Sequence, residues 1–322
     1  MLDIITKKVL ENEDIEQCDI DFLLSVKGID LMELLTAANK IRQNFCGDEI
    51  GMCSIINVKS ASCSEDCRFC SQSTLYHTGV ESYPLLKADD VLKKAFQAEK
   101  SGADHFGLVS SGKNIISQEE FNNILALISI IKEKTELEVC ASLGILTKER
   151  ARSLAAAGLK RYNHNLETSE RFFHEVCTTH SYQDRLNSLV FLKECGVGLC
   201  SGGIIGMGES FQDRIDLVLA LKEVEVDSIP INILNPIKGT PFEGKMPISP
   251  LEVLKTLAIF RFILPDKTIK LCGGRESNLR DLQSLALFSG INALLIGDYL
   301  TTKGRSADED LQMIKDLGLK VK

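Results

Sequence analysis

Lys100-Ser101-Gly102-Ala103 is the stretch that decides the fold, because it ends an amphipathic helix and begins a short apolar strand almost at once. The same junction recurs at three further places, Ala157-Gly158-Leu159, Cys195-Gly196-Val197 and Ser289-Gly290-Ile291. Glycine suits this position because it turns a chain out of a helix at positive φ. The repeated junctions predict a chain of alternating β and α units.

Eight short strands fit this alternation, near residues 51–58, 104–110, 137–143, 160–165, 197–203, 226–233, 267–272 and 292–297. A helical stretch follows each of them. Eight such units with short connections predict an α/β fold, a parallel (β/α)8 barrel of the TIM type, with an open doubly wound sheet as the alternative. Residues 1–45 predict two or three amphipathic helices, an N-terminal extension to a barrel over residues 46–322.

The bulk composition argues against several classes of protein. The 322 residues include 37 basic and 45 acidic side chains, a net charge of −8, which argues against a nucleic-acid substrate. The first residues are too charged for a signal peptide, and no segment is long and apolar enough to predict a membrane span. Eleven cysteines in such a chain predict a cytoplasmic protein that uses thiols for metal binding or catalysis.

Three cysteines follow the first predicted strand at the spacing C-x3-C-x2-C, and we call Cys63, Cys67 and Cys70 the cysteine triplet. Three thiolates are one too few for a closed four-iron cluster, in which each iron takes one cysteine. The spacing resembles that of the radical S-adenosylmethionine (SAM) enzymes, in which the open iron chelates SAM. The triplet therefore predicts a [4Fe-4S] cluster with SAM on its open iron. Zinc or a disulfide is the alternative, but zinc needs a fourth ligand and His77 is the only nearby candidate.

Four more cysteines lie inside predicted strands, where alternation decides which face they occupy. In Val139-Cys140-Ala141 the apolar neighbours suit the helix-facing side, so Cys140 points into the barrel. The same reasoning turns inward a set that we call the lumen cysteines, Cys53, Cys140, Cys200 and Cys272. They fall on the first, third, fifth and seventh strands, the membership of a single layer of a barrel interior.

Any one lumen cysteine taken alone is better explained as a small buried hydrophobe. Four on alternating strands instead predict a second metal–sulfur cluster. Cys46 is ambiguous, and helical segments with apolar neighbours favour a structural interpretation of Cys18, Cys177 and Cys195.

Polar side chains on the even strands indicate a ligand in the barrel interior. Asn163 and Asn165 share one face of the fourth strand, and Asn232 and Ser228 lie on the sixth. A barrel interior holds bare amides only where something pairs with them. We call the three asparagines the amide cage. Lys270 also points inward, and a buried lysine needs an anion or a cluster sulfide beside it.

These features together resemble the biotin synthase family, from about residue 35 to 318. The matching blocks are 63–73, 162–169, 200–209, 230–234, 238–241 and 274–276, then Gly297 and Thr301-Thr302. The block Tyr162-Asn163-His164-Asn165 is the most specific of them.

The resemblance implies a radical SAM sulfurtransferase that converts dethiobiotin to biotin. In the family, reductive cleavage of SAM gives a 5′-deoxyadenosyl radical that removes hydrogen from dethiobiotin. The carbon radical attacks a sulfide of an auxiliary iron–sulfur cluster, and a second SAM repeats the step and closes the ring. The protein supplies position and excludes solvent. The implied partners are dethiobiotin, SAM and an electron donor such as flavodoxin or ferredoxin, in a homodimer.

The resemblance also implies roles for single residues. The cysteine triplet would hold the SAM cluster, and the backbone of Phe69 would meet the adenine. Glu167 stands where the family has an Asp on the ribose of SAM, and Arg185 matches the Arg on its carboxylate. The amide cage would surround the ureido ring of dethiobiotin and the ribose. Thr301 and Thr302 match the backbone donors to the valeryl carboxylate.

The chain departs from the family at the auxiliary cluster, which normally has two irons held by three cysteines and an arginine. Gly107 stands at one cysteine position and Lys270 at the arginine position, while Cys53 and Cys272 each replace a serine. Four thiolates with one per iron is the ligation of a four-iron cube. We therefore predict a four-iron auxiliary cluster. If an extra sulfide on one iron becomes the sulfur of biotin, one lumen cysteine, first of all Cys53, would not be a ligand.

Two alternatives stay open at this point. The first is another radical SAM barrel enzyme, of the hydrogenase-cluster maturase or methylornithine synthase type. Such an enzyme is not expected to combine the amide cage with the lumen cysteines. The second is a non-catalytic iron–sulfur carrier, which would need no SAM pocket.

Overall fold

The helix–glycine–strand junctions fold as the sequence predicts. In the computed structural model, which describes residues 1–322, the four junction glycines have φ between 72° and 96°. Each follows the end of a helix, and a strand begins a few residues later. Many helices begin at a hydroxyl side chain that accepts a hydrogen bond from a first-turn backbone N–H, as at Ser117, Thr147, Ser169, Ser181, Ser210, Ser249 and Ser306.

The chain forms thirteen α-helices and ten strands. The helices are α1 (Leu2–Leu10), α2 (Gln17–Ser25), α3 (Asp30–Cys46), α4 (Ala88–Lys100), α5 (Gln118–Lys134), α6 (Lys148–Ala156), α7 (Glu170–Phe173), α8 (Tyr182–Glu194), α9 (Phe211–Val224), α10 (Pro250–Ile263), α11 (Arg275–Leu279), α12 (Gln283–Phe288) and α13 (Ala307–Asp316). The strands are β1 (Glu49–Lys59), β2 (His105–Ser110), β3 (Glu138–Ser142), β4 (Arg161–Asn163), β5 (Gly198–Cys200), β6 (Gly203–Ile205), β7 (Ser228–Ile233), β8 (Thr268–Leu271), β9 (Ala293–Leu295) and β10 (Lys320–Val321). A 3₁₀ turn over Arg280–Leu282 joins α11 to α12.

The strands close into the predicted parallel barrel. Their order is β1-β2-β3-β4-β5-β7-β8-β9, and β9 pairs back onto β1. This closure confirms the (β/α)8 prediction and excludes the open sheet, which would leave two strand edges unpaired. The short β10 extends the start of β1.

The fifth predicted strand is divided into β5 and β6, and β6 pairs only with β7. Ser201 and Gly202 separate the two pieces. The backbones approach so closely here that a Cβ on Gly202 would lie 2.0 Å from the carbonyl oxygen of Pro230. Glycine therefore permits the break, and the chain beyond it turns toward the mouth of the barrel.

The N-terminal helices pack on the outside of the barrel. The predicted two or three helices in residues 1–45 are α1, α2 and α3, and α3 packs against α10 and α12. Apolar residues such as Ile5 and Leu34 belong to the same continuous core as the barrel. The boundary at residues 45/46 stays a prediction. None of the helices combines the length and the apolar character needed to cross a membrane.

Candidate active site

One cavity of about 430 Å³ lies at the carboxyl ends of the barrel strands, and we call it the large cavity. Every residue predicted for the site lines it, namely Cys53, Cys63, Cys67, Phe69, Cys70, Cys140, Asn163, Asn165, Glu167, Arg185, Cys200, Asn232, Cys272, Thr301 and Thr302. Parallel strands of a barrel bring their carboxyl ends to one mouth, which explains why residues so far apart in sequence meet there.

The cysteine triplet lies in the long loop between β1 and α4, which is folded by its own backbone. The N–H of Cys63 donates to Gln72 O at 3.2 Å, and the N–H of Cys70 donates to Cys67 O at 2.9 Å. The side chain of Gln72 fixes the loop to β1, because its Oε1 accepts from Asn57 Nδ2 at 3.1 Å. Burial raises the pKa of Cys63, and it raises the pKa of Cys70 to about 11. These thiols would lose their protons on binding a metal, as ligating thiolates do.

Cys177 lies beside the triplet, which the sequence did not indicate. The helical interpretation of Cys177 is wrong, because α7 ends at Phe173 and Cys177 lies in the loop before α8. Its Sγ, a ring nitrogen of His180 and Cys67 Sγ are all within 4.8 Å of one another. The neighbouring Cys67 thiol lowers the pKa of Cys177 to about 4, and Cys177 in turn raises the pKa of Cys67.

His180 belongs to the same group and links it to the cysteine loop. Its Nδ1 lies 2.5 Å from Glu65 Oε2, and its Nε2 accepts from Arg185 Nε at 3.0 Å. Asp66 Oδ1 meets Cys177 Sγ at 3.2 Å. Contacts between two loops bring Cys67, Cys177 and His180 together, so no local spacing in the sequence could have predicted this group.

Glu167 and Arg185 form the predicted SAM-binding pair. Glu167 Oε1 lies 3.5 Å from Arg185 Nη1, which also donates to Asn165 O at 2.7 Å. Burial raises the pKa of Glu167, while the guanidinium of Arg185 opposes that rise. The backbone of Glu167 has a φ of 70°, and its carbonyl approaches Gly203 so closely that a Cβ there would lie 2.3 Å from the oxygen.

Phe69 and the two threonines line the large cavity from two different loops. Phe69 packs against a small apolar group that includes Ile204 and Met207. Thr301 lies in the loop after β9, and its Oγ1 accepts from Ser71 Oγ at 2.9 Å. The carbonyl of Thr302 accepts from the N–H of Tyr299 at 2.9 Å. The loop after β9 is thereby joined to the cysteine loop.

Hydrogen bonds within the protein occupy some of the donor and acceptor atoms of the amide cage. Asn163 Nδ2 lies 3.4 Å from both Asn165 Oδ1 and Cys200 Sγ. Asn165 Oδ1 accepts from the N–H of Gly202 at 3.2 Å, and Asn232 Oδ1 accepts from the N–H of Gly273 at 3.0 Å. Backbone groups thus fix the oxygens of Asn165 and Asn232. Asn165 Nδ2 also donates to Glu167 Oε2 at 3.4 Å, whereas the amide nitrogen of Asn232 is left for a ligand in the cavity.

Strand register shows which inward residues share a level of the barrel. Cys53 pairs with His105 on β2, which pairs with Glu138 on β3, and Cys140 lies two residues beyond Glu138. The same step repeats around the barrel: Cys140 pairs with Arg161, which pairs with Gly198, and Cys200 lies two residues beyond Gly198. Cys200 pairs with Ser228, which pairs with Thr268, and Lys270 lies two residues beyond Thr268. Lys270 pairs with Ala293, which pairs with Gly51, and Cys53 lies two residues beyond Gly51. These steps return to Cys53 and define one ring of four side chains, which we call the cysteine ring: Cys53, Cys140, Cys200 and Lys270.

The lumen cysteines therefore do not form a single layer, and that prediction is wrong. Lys270 takes the fourth position in the ring, and Cys272 lies two residues further along the same strand, about 6–7 Å toward the mouth. Alternation alone could not show this, because it assigns a face but not a height. Cys272 still touches Cys53 in one small apolar cluster with Leu295.

Sulfur surrounds the buried ammonium of Lys270. Burial lowers the pKa of Lys270, but the four lumen cysteines outweigh that effect and raise it above the usual value. Burial in turn raises the pKa of Cys53, Cys140 and Cys272. A buried cation among thiols on the wall of the large cavity fits a negatively charged metal–sulfur group.

Two polar residues differ from their sequence interpretation. Ser228 is not part of the amide cage, because it pairs with Cys200 and Thr268 below the level of the cysteine ring. His164 was named only within a motif, yet it is buried, lines the large cavity and leaves Nε2 without a hydrogen-bond partner. Burial lowers the pKa of His164 well below its usual value.

Solved structures with this barrel support the fold. The structure of methylornithine synthase has a TM-score of 0.87 at 21% identity, over 99% of this chain and 97% of that chain. The FeFe-hydrogenase maturase HydG of Carboxydothermus hydrogenoformans has a TM-score of 0.83 at 17% identity, over 99% and 78%. At these identities the likeness shows the fold alone.

Matches to family models and to related sequences define the class of protein more narrowly than the fold does. The Radical SAM superfamily model matches residues 57–221, and the Biotin and Thiamin Synthesis associated domain matches residues 230–320. The class of the protein is thus a radical SAM barrel enzyme. Biotin synthases of Carboxydothermus hydrogenoformans and Pelotomaculum thermopropionicum are 49% and 48% identical to this chain. The matches cover 98% of both chains for the first, and 92% of this chain and 94% of that protein for the second. The chain belongs to the biotin synthase family.

Proposed function

We propose that this chain inserts sulfur into dethiobiotin and forms biotin, as a radical SAM sulfurtransferase. The observation that carries the proposal is the large cavity, which joins the cysteine triplet, the amide cage and the lumen cysteines in one enclosed space. A SAM site, a polar substrate site and a sulfur source have to be contiguous for this reaction, because the reacting atoms must meet without solvent.

The cysteine triplet would hold a [4Fe-4S] cluster with SAM on its open iron. When bound, that cluster supplies the electron that cleaves SAM, and an auxiliary cluster supplies the sulfur. Arg185 would bind the carboxylate of SAM through a charge-assisted hydrogen bond. Glu167 would accept from the ribose hydroxyls as a carboxylate, the form that Arg185 favours. Phe69 would present its backbone to the adenine.

Dethiobiotin would lie between the amide cage and the loop after β9. Asn165 and Asn232 have their oxygens held by backbone N–H groups, which orients both amide nitrogens. The nitrogen of Asn232 would donate to the ureido oxygen, and the nitrogen of Asn165, which donates to Glu167 Oε2 at 3.4 Å, would use its second N–H for the same purpose. Asn163, which contacts Cys200, would place that ring close to the sulfur source. Thr301 and Thr302 would receive the valeryl carboxylate at the mouth, because both line the cavity there.

The arrangement of the lumen cysteines supports a four-iron auxiliary cluster. Cys53, Cys140 and Cys200 lie on one ring and Cys272 lies above it, so four sulfur atoms approach from three sides and from above. One thiolate for each of four irons is the ligation of a cube. If an extra sulfide occupies one iron, we propose Cys53 as the cysteine that does not ligate.

Three further properties are proposed from the family resemblance. An electron donor such as flavodoxin or ferredoxin would reduce the SAM cluster. The chain would act as a homodimer. A cytoplasmic location would keep its eleven cysteines, all of them free, in the reduced state that cluster assembly needs.

The test is anaerobic reconstitution followed by measurement of iron, sulfide and biotin in the same sample. We expect two clusters per chain and dethiobiotin-dependent formation of biotin. SAM cleavage without biotin would indicate another radical SAM activity, and bound clusters without SAM cleavage would indicate a carrier.

A further inference from the structure

A second cavity of about 180 Å³ lies at the amino-terminal ends of the strands, opposite the substrate mouth, and we call it the lower cavity. Gly51, at the start of β1, and Thr268, at the start of β8, line it. It shares Cys53, Arg161 and Lys270 with the large cavity. The cysteine ring is therefore the partition between the two cavities, and both reach it.

Register explains why the barrel is open at this end. Each member of the cysteine ring pairs with one residue of the following strand, and these four partners form the next lower level of the barrel. They are His105, Arg161, Ser228 and Ala293. These residues pair in turn with an outermost ring of Glu138, Gly198, Thr268 and Gly51. Of these four, Gly51 and Thr268 line the lower cavity, and Gly51 has no side chain to fill that end of the barrel.

The deep end of the lower cavity is cationic. Arg161 and Lys270 line it, and Arg161 Nη1 lies 2.6 Å from His105 Nε2. Guanidinium and ammonium groups are cations and hydrogen-bond donors, so this end favours an anion.

Carboxylates near the lower cavity are already paired or lie at its rim. Asp104 Oδ1 accepts from the N–H of Met52 at 2.9 Å and lies 3.0 Å from His105 Nδ1. Glu138 Oε1 lies 3.1 Å from Lys160 Nζ. The exposed rim carries both signs, on Glu49, Asp266 and Lys322. The charges not already paired by neighbouring side chains are thus the cations beneath the cysteine ring.

We propose that the lower cavity admits and binds the hydrosulfide anion, HS⁻, and delivers it to the auxiliary cluster from the side opposite the substrate. This inference rests on the proposed function, in which the auxiliary cluster gives up sulfide to the product. HS⁻ carries sulfur already at the oxidation level of sulfide, so its delivery needs neither oxidant nor reductant. On joining iron it gives up one proton, which leaves through the same opening.

Because the two cavities lie on opposite sides of the ring, sulfide would enter by a different route from SAM and dethiobiotin. The large cavity would be filled by SAM and dethiobiotin, and the lower cavity has less than half its volume. The lower cavity excludes a protein-bound persulfide, which would have to bring its own chain into the barrel. A free small anion is the form of sulfur that fits.

Gly51 is the position at which the opening can be closed without touching the cluster. A Cβ there would lie 3.5 Å from Ala293 Cβ and from Asp104 Oδ2, which is ordinary van der Waals contact. Gly51→Ala therefore leaves the cavity open and serves as the matched control, whereas Gly51→Val places two more methyl groups in it. Ala293→Val narrows the cavity from the opposite wall and serves as a second closing variant if Gly51→Val does not fold.

The experiment follows sulfide uptake by the reconstituted holoenzyme. Each protein completes one turnover with unlabelled sulfide, is desalted, and receives ³⁴S-labelled sodium sulfide. Mass spectrometry then follows the label in acid-labile sulfide over time, and afterwards in the biotin of a second turnover. We expect equal uptake by the wild-type protein and Gly51→Ala, and several-fold slower uptake by the closing variant with an unchanged first turnover.

Equal uptake by the closing variant would overturn the proposal, and so would a wild-type protein that takes up no label from free sulfide. A wild-type protein that forms no biotin in the first turnover would instead overturn the proposed function. The two failures are therefore distinguishable.

Discussion

The two cysteine sites of the large cavity are built in opposite ways. The cysteine triplet comes from eight consecutive residues of one loop, whereas the lumen cysteines come from four strands of the barrel. The triplet lies at the mouth among groups such as Glu65, Asp66 and His180 from two loops. The lumen cysteines are fixed by backbone pairing on both sides, with Lys270 as the cation among them.

The difference indicates which site tolerates change. A loop can adjust its backbone to a cluster and a bound SAM, but it depends on every one of its three thiols. A barrel ring has a fixed geometry, so a family can exchange ligands between its positions and retain the scaffold. Cys53 and Lys270 lie on this ring, whereas Gly107 and Cys272 lie outside it.

The largest effect is expected at the triplet. Replacing Cys63, Cys67 or Cys70 with Ala should reduce 5′-deoxyadenosine formation to background, because two thiolates cannot leave a defined open iron. Chromatographic assay of 5′-deoxyadenosine under reducing conditions measures the extent of SAM cleavage. The exposed Cys18 on α2 gives the control, and Cys18→Ala should cleave SAM as the wild-type protein does. Appreciable cleavage by any triplet variant would refute the assignment.

Variants of the cysteine ring should separate the two sites. Cys140→Ala or Cys200→Ala should abolish biotin formation and leave reductive SAM cleavage in place, because the triplet lies in a different element. Biotin and 5′-deoxyadenosine are measured in the same reaction. Retention of biotin formation in both variants would show that the ring is not the sulfur source.

Substitutions in the amide cage should act on ligand affinity and leave the clusters in place. Asn165→Ala and Asn232→Ala should each raise the dethiobiotin requirement, since losing a buried hydrogen-bond partner costs about 1–3 kcal/mol. That cost corresponds to about 5–150-fold in affinity. Iron content should stay unchanged.

Arg185→Ala is the matched comparison for the cage, because it should raise the SAM requirement and leave the dethiobiotin requirement unchanged. Calorimetric titration with each ligand measures the two affinities. Unchanged dethiobiotin binding in both cage variants would mean that the cage is misplaced.

A smaller effect is expected at Cys177, where the sequence predicted none. Cys177→Ala removes a thiol whose Sγ lies within 4.8 Å of Cys67 Sγ, and loss of such an outer contact typically weakens metal binding by about 10-fold or more. Iron release to a chelator should therefore be faster from the triplet and unchanged from the ring. Cys195→Ala, just after α8, is the control. Faster release from the ring in Cys177→Ala would contradict this account.

The fold could be predicted because its signals are local. A glycine at a helix end and an alternating strand are written in a few adjacent residues, and alternation gave the inward face of all four lumen cysteines correctly. The height of each residue in the barrel could not be predicted. It follows from strand register summed around the whole barrel, and this is why Lys270 and not Cys272 completes the ring.

Contacts between loops were also beyond the sequence. Cys177 and His180 reach the triplet because the segment between α7 and α8 folds back onto the cysteine loop, and neither residue belongs to a recognisable spacing. The lower cavity is lined by Gly51 and Thr268, which only the register brings to one level. Each of these features is a sum of distant contacts, which local patterns do not encode.

The most direct test of the central claim isolates the ring from the triplet. A variant with Cys63, Cys67 and Cys70 all changed to Ala is reconstituted anaerobically with ⁵⁷Fe and examined by iron analysis and Mössbauer spectroscopy. The account predicts about four irons per chain with the spectrum of a four-iron cluster. About two irons with a two-iron spectrum would contradict it.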